Sequence, residues 1–226
     1  MAITLSRDIV RTIRKHAPDV SPHPLPTHLA NIYKPGVQLN NLAFENNVHR
    51  KLHVSTAHQS MVRVVHATLY PRPRFDAPIV SVDVVSVGAQ PTYAMVDTFP
   101  VSDNLHLPED YHDAVVDLQS RFGVQPVHRS SLPLWAREIC SNRVIMVDRP
   151  FDSNAMCDYI VNLCAMHLEY CKGVEASRDY RRIRMNHLRF CRGQLKNTRI
   201  RTALASSFSG GLIQANEYMN KVCFDC

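Results

Sequence analysis

Residues 61–87 read MVRVVHATLY, PRPRFDAP and IVSVDVVSV in succession: two runs rich in β-branched residues around a loop carrying Pro71, Pro73 and Pro78. Such runs bounded by proline are strands, and a third, YAMVDTF, follows at 93–99. Connections this short favour antiparallel hairpins over crossovers. With the first hairpin centred between Arg74 and Phe75, residue 66 lies opposite residue 83. Facing residues have Cβ atoms about 5 Å apart, so His66 and Asp83 would meet on one sheet face. Asp83 stands between valines in a strand apolar on both sides, the pattern of a strand buried on both faces. An ionised carboxylate there is costly unless paired. The plain alternatives are an Asp83 facing solvent or bound to a backbone N–H, and a His66 bonded to backbone in the core. A one-residue slip would also part the two side chains. Paired, they can hold and deliver a proton.

Working outward, residues 3–16 read as a helix with Ile9, Val10 and Ile13 on one side. Residues 17–42, with Pro18, Pro22, Pro24, Pro26 and Pro35, read as an extended arm or surface loop. Residues 43–59 read as weakly helical. A helix is expected from Pro108 to Phe122, stopped by Gly123, and a short strand at 144–147. From Phe151 the chain becomes helical. Met156, Cys157, Ile160, Leu163, Cys164, Leu168 and Cys171 form a stripe at helical spacing that ends at Gly173. A second helix over 180–191 turns Tyr180, Ile183, His187, Leu188 and Cys191 inward. Two shorter helices, near 196–207 and 212–222, flank Ser209-Gly210-Gly211. Strands followed by helices indicate an α+β fold in one domain spanning 1–226, an antiparallel sheet with helices packed on it. Asp97 is expected to end its strand and bond a turn.

The 226 residues carry a net charge of +6, and the basicity is local. Nine of the ten charged residues between Arg178 and Arg201 are basic, a segment of +8, and the remainder of the chain is −2. Such a patch calls for an acidic partner or ligand. The seven cysteines are an odd set, so they form no complete disulfide framework. Cys157, Cys164 and Cys171 recur every seven residues and read as core packing, and Cys223-x-x-Cys226 is too isolated to indicate a metal or redox centre. Phosphate loops, dinucleotide fingerprints, zinc fingers and nucleophile elbows are absent. No apolar run is long enough for a membrane helix and no secretory leader is visible, so a soluble cytoplasmic protein is expected.

Larger motifs then become visible: Leu52-His53; His66-x-x-x-Tyr70-Pro71-Arg72-Pro73 leading to Asp83; Val96-Asp97-x-Phe99-Pro100-Val101; Leu132-Pro133-x-Trp135; Phe190-Cys191-x-x-Gln194-x-x-Asn197; and Tyr218-Met219-x-x-Val222-x-Phe224-Asp225. Over residues 45–226 the chain resembles the ferredoxin-dependent bilin reductases, in the lineage of phycocyanobilin:ferredoxin oxidoreductases. The segment 1–42 lies outside that resemblance. The resemblance implies a three-layer α/β/α sandwich with a central antiparallel sheet, and a bilin held between the sheet and the C-terminal helices. It implies no metal, flavin or nicotinamide; electrons come singly from reduced ferredoxin. It implies Asp83 as central proton donor, with His66, Asn197 and Thr198 completing the catalytic set. His53, Ser55, Ser102, Arg129 and Arg199 would contact the substrate biliverdin IXα, with the two arginines clamping its propionates. Arg178, Arg182 and Arg189 would dock an acidic ferredoxin, and heme oxygenase would supply the substrate to a monomer.

Two positions depart from the family pattern. The helix carboxylate expected just after the asparagine is Thr198, and the glutamate expected two residues after the Leu-His histidine is Ser55. Both point away from phycocyanobilin and toward phycoerythrobilin as the product, formed through 15,16-dihydrobiliverdin. Phycocyanobilin is the alternative within the family. An arginine-rich nucleic-acid-binding protein is the alternative from another class; it accounts for the +8 segment but not for His66 or Asp83.

Overall fold

The structure, a computed structural model, describes residues 2–148 and 150–225, with the side chains at 2, 3, 199, 206 and 207 outside that description. Its centre is an eight-stranded antiparallel sheet: β1 (Ser21–Pro22), β2 (Asn31–Lys34), β3 (Val37–Glu45), β4 (His49–Gln59), β5 (Val62–Pro71), β6 (Ile79–Val87), β7 (Gln90–Phe99) and β8 (Ile145–Val147). The order is β1-β3-β4-β5-β6-β7-β8, with β2 also pairing β3. The helices are α1 (Ala2–His16), α2 (Thr27–Ala30), α3 (Glu109–Arg121), α4 (Leu134–Arg137), α5 (Ser153–Gly173), α6 (Tyr180–Leu195), α7 (Thr198–Ser207) and α8 (Gly211–Tyr218), the last continuing into a π-helical turn at Met219–Cys223.

The two faces of the sheet differ in chemistry. One presents Leu52, Val54, Val65, Ala67, Leu69, Val80, Val82, Val84, Ala94 and Val96, and packs on α1, α3 and α5. The other presents His53, Ser55, His66, Thr68, Tyr70, Ser81, Asp83 and Asp97 beneath α6, α8 and the π turn. Strict period-2 alternation separates the two sets. Asp83 therefore belongs to a buried polar face, although the strand that carries it reads as apolar throughout.

Several elements fall where the sequence puts them: α1 with Ile9 and Ile13 fully buried, β5 to β7, α3 with Gly123 at φ 64° just beyond it, β8, and α5 with its Met156–Cys171 stripe inward. Three expectations are overturned. The arm over 17–42 contains β1, α2, β2 and most of β3, because Pro35-Gly36 makes the tight turn of a β2–β3 hairpin, with Gly36 at φ 77°. The weakly helical 43–59 is the end of β3 and the whole of β4. There the polar residues Lys51, His53 and Ser55 are buried, so hydrophobic periodicity gave no strand signal, and tertiary contacts chose the structure. Tyr180, expected inward, is exposed at the start of α6, and Asn186, Phe190 and Gln194 fill the inner face with Ile183 and His187.

Candidate active site

β5 and β6 pair with His66 directly opposite Asp83. The His66 ring Nδ1 lies 2.8 Å from Asp83 Oδ1, and both side chains are buried. The Thr68 hydroxyl, two residues along the same face, is 3.0 Å from His66 Nε2. These contacts are mutually consistent when Nδ1–H donates to the carboxylate and the Thr68 hydroxyl donates to Nε2. A carboxylate, an imidazole and a hydroxyl thus form a continuous hydrogen-bonded line across adjacent strands. Tyr70 extends the same face and donates its hydroxyl to the Cys223 carbonyl at 2.7 Å. Burial raises the phenol's pKa, so it stays protonated.

His53 on β4 stands beside this line, its ring 5.7 Å from that of His66. Asn41 fixes its tautomer. The Asn41 amide nitrogen donates to the Leu29 and Ala30 carbonyls, so its oxygen faces His53 Nε2 at 2.9 Å and the Tyr218 hydroxyl at 2.7 Å. His53 Nε2 must then donate, and Nδ1 is left with a lone pair and no partner among the described residues. Burial holds this imidazole well below its ordinary pKa. Ser55 is buried opposite His66 in the β4–β5 register.

The C-terminal turn covers the group. Phe224 packs edge-on against His66 at 5.7 Å, Cys223 is buried against His53 and His66, and Lys51 Nζ donates to the Val222 carbonyl at 2.9 Å and pairs with Asp225. Asp97 lies within β7 on the same face. It accepts from the Ser141 hydroxyl at 2.5 Å and the Ser141 N–H at 2.9 Å, so it bonds a distant turn and does not end its strand. Burial pushes this carboxyl up to about 6.

The remaining residues singled out from the sequence are dispersed. Asn197 is buried and caps α7 by accepting from the Ile200 N–H. Thr198, expected to stand in for an axial proton donor, is exposed on the first turn of α7 and is not among the residues gathered around His66. The Arg129 guanidinium bonds the Arg137 carbonyl. Ser102 lies in the loop after β7, its hydroxyl donating to the His106 carbonyl at 2.6 Å. The Arg199 side chain lies outside the described residues, as does Cys226. Of the docking arginines, Arg178 is exposed, but Arg182 and Arg189 are committed to the fold. Arg182 bonds Asp76, Asp179 and the Val101 carbonyl, and Arg189 bonds the Ser102 carbonyl at 2.7 Å. Sequence reasoning missed Thr68, Asn41, Lys51 and Phe224. The i+2 spacing of Thr68 from His66 and the place of Phe224 in the Tyr218–Asp225 motif are the signals that could have found two of them. It also missed an open basic cleft lined by Arg50, Arg72, Arg74, Asn47, Pro73 and Tyr180. Arg50 there stacks on the Tyr70 ring at 4.1 Å.

Fold and site together define an α/β/α sandwich whose polar sheet face carries a buried, hydrogen-bonded histidine–carboxylate pair. The family model described as ferredoxin-dependent bilin reductase matches residues 7–225, and the chain belongs to that family. Its members are oxidoreductases. The chain is 27% identical over 182 residues to a phycocyanobilin:ferredoxin oxidoreductase of Prochlorococcus marinus strain SARG, covering 78% of this chain and 71% of the relative. It is 28% identical over 195 residues to the enzyme of the same name from Prochlorococcus marinus strain MIT 9515, covering 81% and 78%. Among solved structures, phytochromobilin synthase from tomato in complex with biliverdin superposes with a TM-score of 0.69 at 18% identity, over 99% of this chain and 83% of that one, which establishes the shared fold.

Proposed function

We propose that the chain acts as a single bilin reductase domain that reduces biliverdin IXα to phycoerythrobilin through 15,16-dihydrobiliverdin. The observation that carries this reading is the buried His66–Asp83 hydrogen bond on a sheet face that also holds Thr68 and His53. Each two-electron stage takes two electrons, one from each of two reduced ferredoxins, and two protons; the two stages together consume four of each. A bilin radical becomes basic as each electron arrives. A donor already positioned and shielded from bulk water then protonates it at a chosen carbon. Asp83 is that donor, taking a proton from solvent for each transfer; the carboxylate left behind accepts the His66 Nδ1–H hydrogen bond, and Thr68 fixes the imidazole by bonding its Nε2.

Ser55 supports phycoerythrobilin over phycocyanobilin, because a buried hydroxyl is no acid at neutral pH. Thr198 faces solvent, so the second stage also draws on the His66–Asp83 line. The bilin propionates fit the open cleft where Arg50, Arg72 and Arg74 converge, because three guanidinium groups there can share two carboxylates. Ferredoxin docks where Arg178 and its exposed neighbours lie, just before and along the start of α6. The experiment is an absorption time course with biliverdin, ferredoxin and a reducing system, with products separated by chromatography. Early dihydrobiliverdin followed by phycoerythrobilin is expected; clean phycocyanobilin with no dihydrobiliverdin refutes the product assignment.

A further inference from the structure

On the opposite side of the sheet from the bilin site, a second group of ligating side chains is buried. His49 opens β4, and His167 and Cys171 lie one turn apart on α5. Each offers one ligand atom, the three lie within 4.8 Å of one another, and all three residues are buried. We propose that His49, His167 and Cys171 form a zinc site independent of bilin chemistry.

A backbone irregularity brings His49 there. Along β4, Lys51, His53 and Ser55 share the bilin face, and unbroken alternation would place His49 with them. Instead the register shifts between His49 and Lys51, with Arg50 as the extra residue. A bulge of this kind re-aims the side chain that precedes it. His49 is thereby turned toward α5, its ring 5.8 Å from that of His167.

The hydrogen bonds then fix which nitrogen is bare. The Asn46 amide nitrogen donates to Asp19, so the Asn46 oxygen is the atom facing His49 Nδ1 at 3.3 Å. Nδ1 must donate, and Nε2 keeps its lone pair. Among the described residues Nε2 has no hydrogen-bond partner, and its residue is only 2% exposed. An orphaned buried acceptor calls for an explanation, and a metal supplies one. His167 is placed to match: Nδ1 is 3.0 Å from the Tyr111 hydroxyl, which can accept its proton when Nε2 binds a metal, and Nε2 is 3.5 Å from Cys171 Sγ. An oxygen partner on the far ring nitrogen is the usual support of a ligating histidine. Two imidazoles and one thiol suit zinc. A tetrahedral ion with bonds of about 2.0 Å to nitrogen and 2.3 Å to sulfur needs ligand atoms roughly 3.5 Å apart. His167 Nε2 and Cys171 Sγ already stand at that spacing, 3.5 Å apart. Binding exchanges the thiol proton for the metal: Zn2+ plus Cys171–SH gives Cys171–S–Zn and one proton released to solvent.

The test uses the full chain, stripped with chelator, dialysed and titrated with Zn2+, with metal content, released protons and melting temperature measured. One zinc and one proton per chain are expected, with a melting temperature that rises with zinc concentration. Cys171→Ser and His49→Ala should each lose the bound zinc, whereas His66→Ala, which breaks the other buried His/Cys group, should keep it. Because a core variant can fail to fold, the wild-type chain is also loaded with Co2+. A thiolate-to-metal charge-transfer band is expected, and its absence overturns the proposal. So does a wild-type chain that takes up no zinc, a Cys171→Ser chain that still holds its zinc, or a His66→Ala chain that loses it.

Discussion

His66 and Asp83 owe their chemistry to a single register. Seventeen positions apart in sequence, they meet at 2.8 Å because β5 and β6 pair without slippage. Asp83→Asn is nearly isosteric and keeps the hydrogen bond to the His66 ring, but it cannot supply a carboxylic proton. We expect it to bind biliverdin and to turn over roughly 100-fold or more slowly, the usual loss on removing a general acid. An absorption time course checks this, and wild-type turnover would assign the proton to another group. Thr198 tests the reverse case. The position is exposed at the start of α7, so Thr198→Asp should leave rate and product ratio unchanged and stabilise the helix N-terminus by about 0.3–1 kcal/mol. A changed isomer ratio would mean that α7 approaches the bilin.

At the scale of elements, α6 is held against the sheet by close packing and by its own arginines. Gly193 leaves no room for a side chain: a Cβ there would lie 2.7 Å from Ile139 Cγ2. Gly193→Ala should therefore cost about 1–3 kcal/mol from overpacking, despite alanine's better helix propensity, and thermal melting measures it. Arg182 and Arg189 tie the same helix to the loop after β7 through the Val101 and Ser102 carbonyls, and Arg182 also ties it to the β5–β6 loop through Asp76. Arg182→Ala should loosen that loop and lower the melting temperature by a few degrees. Arg178→Glu, on an exposed side chain, should leave melting unchanged and raise the ferredoxin concentration needed for half-maximal rate, an effect that fades at high salt. If Arg178→Glu and wild type need the same ferredoxin concentration at low salt, the docking surface lies elsewhere.

Taken whole, the molecule buries neutral histidines, and that sets its acid stability. Burial lowers the pKa of His187 to about 3 and takes His53 well below its ordinary value. Below about pH 6.5 the unfolded chain binds protons at these positions and the native chain does not, so stability falls as pH drops. Each group contributes a slope of about 1.4 kcal/mol per pH unit until its folded pKa is reached. Asp97 runs the other way. Its folded pKa, raised to about 6, makes its contribution complete at acid pH and lost as pH rises through about 6. Urea midpoints measured from pH 7 to pH 4 should therefore fall, more gently for His187→Leu and more steeply for Asp97→Asn. A flat profile would show that these imidazoles are protonated in the folded protein.

The order of strands β5 to β7, the hairpin register, the helical stripe of α5 and the stop at Gly123 were all legible in the chain, because each rests on local periodicity or turn chemistry. So was the His66–Asp83 pair, since a short loop fixes which residues face each other. What lay beyond reach was whatever depends on partners distant in sequence. β4 looked helical because its polar residues are buried against a C-terminal turn some 170 positions away, with Lys51 bonding Val222, and no local pattern records that contact. Arg182 and Arg189 read as docking residues for an acidic partner until the loop after β7 met them. His49 acquired its place beside His167 and Cys171 only through a bulge at Arg50 and the docking of α5. Local spacing determines which elements form; the matching of one buried surface to another determines which polar groups they hold together.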